Sequence, residues 1–117
     1  MRNLQGGATM LDLINDLQSL SDSLTSAVRS MASHGKQYAE AEKAYKVRLM
    51  QETLKLRDAG LPVTIIDKVV MGIVAEERCQ RDIAEVYYKT SMENVNAIKL
   101  RIRVLDNQIG REWGNHE

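Results

Sequence analysis

"LRDAGLPVTIIDKVVMG", residues 56–72, holds the single proline of a chain that otherwise reads as helix almost throughout. Gly60 stands where a helix end wants a left-handed C′ residue, and Pro62 follows at a distance that forbids the helix to continue. Thr64 with Asp67 offers a new N-terminal cap and Gly72 a new stop, so the spacing predicts a short corner helix over 64–71. A corner of this kind joins two longer helices into a hairpin.

Working outward, the chain from Ile73 to about Gly110 has no Gly or Pro between its ends. Ala84, Tyr88, Ser91, Val95, Ile98, Ile102, Leu105 and Ile109 follow a heptad-like register there. Glu77 before Arg81 and Glu85 before Lys89 support its outer face in the favourable orientation. On the other side of the corner, Tyr38, Ala41, Tyr45, Leu49 and Leu56 mark one apolar side of a helix over 36–59, and Val47, Met50 and Leu54 mark another. A helix with two apolar stripes has two neighbours. The expectation is an all-α fold built on a long antiparallel hairpin of 36–59 with 73–110. At ~1.5 Å per residue the second arm would be ~57 Å long, against a diameter of roughly 35 Å for a compact domain of this size. The sequence therefore predicts an elongated bundle.

Nearer the N-terminus, residues 1–8 have no periodicity and read as a frayed end, and Thr9 with Asp12 caps an amphipathic helix over 9–33. Gly35, after His34, reads as a C-cap, a kink or a short link. The stripe Met10, Leu13, Leu17, Leu20, Leu24, Ala27 and Met31 alternates spacings of three and four opposite a polar face of Asn, Asp, Gln and Ser. Two hairpin arms bury only one stripe each. The first helix either folds back over its own hairpin or packs against a second copy, and the surplus favours a homo-oligomer, most simply a two-fold dimer, with Met10, Leu13, Leu17, Leu20, Leu24 and Met31 as its interface.

Composition narrows the chemistry. The 117 residues suffice for one domain, and sixteen basic and sixteen acidic side chains cancel, so no global field draws the protein to nucleic acid or an anionic membrane. One cysteine, the lack of a signal-type N-terminal segment and the absence of any apolar run near 20 residues point to a soluble cytoplasmic protein without a membrane partner. The absence of Phe with plentiful Leu, Ile, Val, Met and Ala suits helix packing better than a β-sandwich.

Neither His34 nor His116 lies three residues after a Glu, as a helical di-metal site requires. Cys79, in "EERCQR", has no His near it in sequence and reads as a small helix residue. No glycine pattern forms a phosphate loop. No enzyme and no cofactor are expected. Basic runs leave a nucleic-acid reading open, with Lys99, Arg101, Arg103 and Arg111 as contacts to a single strand and tyrosines as stacking surfaces. Trp113 beside Arg111 reads either as a cap on the hairpin's end or as an exposed anchor. At the corner, Ile65, Ile66, Val69, Val70 and Met71 are too many apolar groups for one short helix to hide on one side, which marks them, with Trp113, as candidates for a protein partner.

The segments "RDAGLPVT" and "AEERCQRDIAEVYYKTSMENVNAIKLRIRVLDNQIGREW" resemble a group of small helical proteins encoded by temperate phages and prophages of Gram-positive bacteria, in the early gene region near recombination functions. The resemblance covers residues 38–113 and leaves out the first helix. It implies a bacterial host cytoplasm and a protein that acts by binding a replication, recombination or host-defence component. It carries no catalytic residue.

Overall fold

A computed structural model of the chain describes residues 9–114, which form three helices: α1 (Met10–Asp58), α2 (Val63–Ile73) and α3 (Ala75–Gly114). The fold is all-α, with no strand among the described residues. The predicted frayed end, 1–8, and His116 lie outside them.

Thr9 caps α1 as its sequence predicts. The Thr9 hydroxyl accepts from the Asp12 N–H at 3.2 Å, and the Asp12 carboxylate accepts from the Thr9 N–H at 3.2 Å, which satisfies two otherwise orphaned donors. The expected break near Gly35 does not occur, and α1 runs through it for 49 residues. The reason is the phase of the apolar stripe. The alternation of three and four from Met10 to Met31 continues through His34, Tyr38, Ala41, Tyr45 and Arg48 without a shift, and all of these positions are buried or half-buried. A break at Gly35 would turn one half of that stripe away from α3.

The far end of α1 closes as the sequence indicates. Gly60 has φ +82°, its N–H reaches the Arg57 carbonyl at 3.0 Å, and the Leu61 N–H reaches the Leu56 carbonyl at 3.3 Å. This is a Schellman closure, and it needs a residue free to adopt positive φ. The corner helix is longer than predicted and is capped differently. Pro62, in an extended conformation, takes the N-cap position with no side-chain cap, and its carbonyl accepts from the Ile65 and Ile66 N–H groups at 3.0 Å each. Thr64 lies one residue inside α2, so the Thr64–Asp67 cap is not used. Nor does Gly72 end the helix. The interruption falls at Val74, which is 0% exposed; its N–H binds the Val70 carbonyl and its carbonyl receives the Arg78 N–H, both at 3.0 Å. Burial of Val74, a tertiary requirement, sets the position of this break. At the other end α3 passes Gly110, its predicted limit, and reaches Gly114.

The chain divides into two compact units, and α1 and α3 contribute to both. One unit comprises the described residues up to Met31 and those from Ser91 onward. Its core is Ala27, Val95 and Ile98, with Leu24, Met31 and Ile102 packed against it. The first stripe thus packs, at least in part, on the chain's own α3, the first of the two arrangements open to it. Leu24 and Met31 serve this core and Leu13 is 2% exposed, while Met10, Leu17 and Leu20 are half-buried on the same stripe. The other unit, Ala32–Thr90, has Tyr45, Val70 and Val74 at its centre, with Leu49 and Leu56 against them.

Candidate interaction surface

The second unit distributes its side chains in an unusual way. Between its stretches of α1 and α3 runs a ladder of polar and aromatic contacts. His34 stacks on Tyr87 with ring centroids 5.6 Å apart, and the Tyr38 ring tilts against Tyr88 at 6.0 Å. The Tyr38 hydroxyl donates to Glu85 Oε2 at 3.3 Å. The Arg81 guanidinium lies 4.5 Å over the Tyr45 ring, and Arg48 Nη1 donates to Glu77 Oε1 at 3.2 Å. As α1 advances from 34 and 38 through 45 to 48, its partners retreat from 87 and 88 through 81 to 77, so the predicted antiparallel hairpin is present in this unit. Gly35 belongs to this ladder. A Cβ built there would lie 3.1 Å from Tyr88 Cε1, so the glycine lets the helix backbone come close to an aromatic ring.

Lysines one turn away on the same helices hold the carboxylates beside and within the ladder in their ionised forms. A hydrogen bond from Lys55 holds the Glu52 carboxyl below its ordinary range, aided by the charges of Lys55 and Arg48 against the opposing effect of burial. Glu85 is likewise lowered, first by the hydrogen bond from Lys89, which lies 2.7 Å away. The Tyr38 phenol is pushed up, first by burial and then by the negative charges of Glu85 and Glu42. Glu77 Oε2 is buried without a hydrogen-bond partner. The remaining members are tied to one another, which makes the ladder a pairing device that fixes the register of two helices.

Apolar side chains lie on the outside instead. In α2, Ile66 and Val70 are buried, so these two partner candidates belong to the core. Ile65, Val69 and Met71 are exposed as expected, and Val63 and Ile73 join them. On α1, Val47, Met50 and Leu54 are open along the second stripe noted in the sequence. On α3, Ile83, Val86 and Tyr87 are open as well. The 79–83–86 spacing gives these a second face, offset from the inward series 77–81–84–88. Met71 of α2 and Ala75, Arg78, Cys79, Asp82, Ile83, Val86 and Tyr87 of α3 line a groove of about 640 Å³.

Elsewhere the candidates are dispersed. Lys99, Arg101, Arg103 and Arg111 are all exposed on α3, but at 3.6 residues per turn they spread around the helix and form no single basic track. Arg101 borders an apolar hollow with Leu20, Leu100 and Val104. Trp113 is 65% exposed and shares a shallow depression with Asp106 and Arg111, so it does not close the end of the helix pair. Among the described residues no three His, Cys, Asp or Glu side chains gather as metal ligands, and no helix is long and apolar enough to cross a membrane. Comparison of the chain with protein-family models, curated proteins and solved structures finds no match.

Proposed function

We propose that the chain is a non-enzymatic helical interaction module that self-associates and binds a second protein. The observation that carries this reading is the apolar exterior of residues 32–90. Val47, Met50, Leu54, Val63, Ile65, Val69, Met71, Ile73, Ile83, Val86 and Tyr87 are each 38–66% exposed. Of these, Met71, Ile83, Val86 and Tyr87 share the groove described above. Water contact of this extent is unfavourable, and a protein surface that covers it gains the corresponding hydrophobic free energy. The resemblance of residues 38–113 to small phage and prophage proteins supplies a setting, in which the second protein would be a replication, recombination or host-defence component of the bacterial cell.

Sedimentation equilibrium over the micromolar range tests the first half of the proposal. A mass that rises with concentration is expected, and a folded chain that stays monomeric throughout refutes it. For the second half, Ile65→Asp with Val69→Asp should abolish retention of a partner captured by the wild-type chain; equal retention by both excludes α2 as the contact.

A further inference from the structure

The groove beside α2 has features that answer one another when it is reversed. Along α3 its first half is lined by the small side chains Ala75 and Cys79, and its second half by the larger Ile83 and Val86. Arg78 and Asp82 stand in the same lining, one helical turn apart and opposite in charge. A strongly acidic or basic partner would find no single sign of charge to match. A two-fold interface places residue i against residue j of the other copy and j against i, and it therefore requires this kind of self-complementarity.

Resting on the self-association proposed above, we propose that two copies dock antiparallel through this groove, about a two-fold axis beside residue 80 of α3. In that arrangement Arg78 of each copy opposes Asp82 of the other, so two ion pairs flank the axis. Asp82 Oδ1 accepts from Arg81 within the chain at 2.9 Å, and a carboxylate has lone pairs for a second cation. Val86 of each copy lies over Ala75 of the other and Ile83 lies beside Cys79, so large side chains meet small ones on both sides of the axis. Met71 and Tyr87 border the same groove and are covered with it.

Three variants and one reagent test this. Val86→Glu places a charge in the apolar contact and should shift the chain to monomer in sedimentation equilibrium, with its circular dichroism unchanged. Arg78→Asp alone sets like charges against each other and should weaken dimerisation about tenfold or more. Arg78→Asp combined with Asp82→Arg restores opposite charges across the axis and should recover most of that loss. Cys79 is the chain's one cysteine and lies close to the axis, so a short bis-maleimide should link two wild-type copies and fail to link Val86→Glu. A wild type that dimerises with Val86→Glu dimerising equally, or a double variant no better than the single one, overturns the groove as interface while leaving self-association intact. A folded wild type that is monomeric at every concentration overturns both.

Discussion

The same substitution at two glycines of one unit should have opposite effects. Gly35 lies inside α1 without a positive φ, whereas Gly60 has φ +82°. Replacing a mid-helix glycine by alanine contributes about 1 kcal/mol through the lower conformational entropy of the unfolded chain and better helix propensity. At position 35 this gain is reduced because the new Cβ lies 3.1 Å from Tyr88 Cε1, and the half-buried ring must give by a few tenths of an ångström. A net gain of about 0.5 kcal/mol remains, which for a chain of this size raises the melting temperature by about 2 °C. At position 60 nothing lies within 4 Å of the added Cβ, yet the left-handed backbone penalises any side chain by about 1 kcal/mol or more. Gly60→Ala should therefore lower the melting temperature by about 4 °C. Far-UV circular dichroism melts of both variants and the wild type at one fixed protein concentration measure this, since self-association makes the midpoint concentration-dependent. If Gly35→Ala falls as far as Gly60→Ala, the Tyr88 ring does not yield and the gain in helix propensity does not outweigh the close approach, which refutes the predicted sign.

Two further outcomes follow from packing and charge. Leu24→Asp puts a carboxylate against the Ala27–Val95–Ile98 cluster and should cost about 3 kcal/mol or more, to the same extent at every protein concentration; a variant that regains its melt on concentration would place that stripe between copies. Because the Glu52 and Glu85 carboxyls are held below their ordinary value of 4.5 in the folded chain, the stability they supply is present above that value and is lost as pH falls through the folded values. Melts from pH 7 to pH 3 should decline on the acid side, and Glu52→Gln with Glu85→Gln should decline less; an unchanged pH slope in the double variant refutes the assignment.

Where the sequence could be read directly, the determinant was local. Gly60 and Pro62 are legible because a Schellman closure and a missing N–H are properties of a few consecutive residues, and Thr9 with Asp12 is legible for the same reason. Gly35 misleads because its local appearance, a glycine after His34 in a polar stretch, is that of a helix end. The opposing signal is long-range: a three-four alternation that keeps one phase from Met10 to Arg48. Val74 carries no breaker chemistry, so the boundary between α2 and α3 follows only from its burial beside Tyr45 and Val70. Within α2 the apolar residues surround the helix, and sequence alone does not say that Ile66 and Val70 face inward while their neighbours Ile65 and Val69 face out. The face formed by Cys79, Ile83 and Val86 was present in the spacing but was masked by the stronger inward register of α3.

The arrangement of the second unit inverts the usual economy of a helical hairpin. Its interior between α1 and α3 is spent on Arg48–Glu77, Arg81 over Tyr45 and Tyr38–Glu85, contacts at partly exposed positions whose net contribution to stability is small. Their use lies in specificity, because a shift of one turn between α1 and α3 would separate these cross-helix pairs while leaving the same-helix partners Glu52, Asp82 and Lys89 in place. Register is thereby set by polar pairs, and the apolar side chains of α2 and of the second face of α3 are not needed to set it. If α2 served only as a corner, its inward side would need Val70 in the Tyr45–Val70–Val74 cluster, the buried Ile66, and Met71, whose sulfur accepts from the Tyr45 hydroxyl at 4.0 Å, and Ile65 and Val69 could be polar without loss to that core. They are apolar and exposed. A surface that covered them would lie outside the unit's own packing, and on the function proposed above the corner is the contact for it.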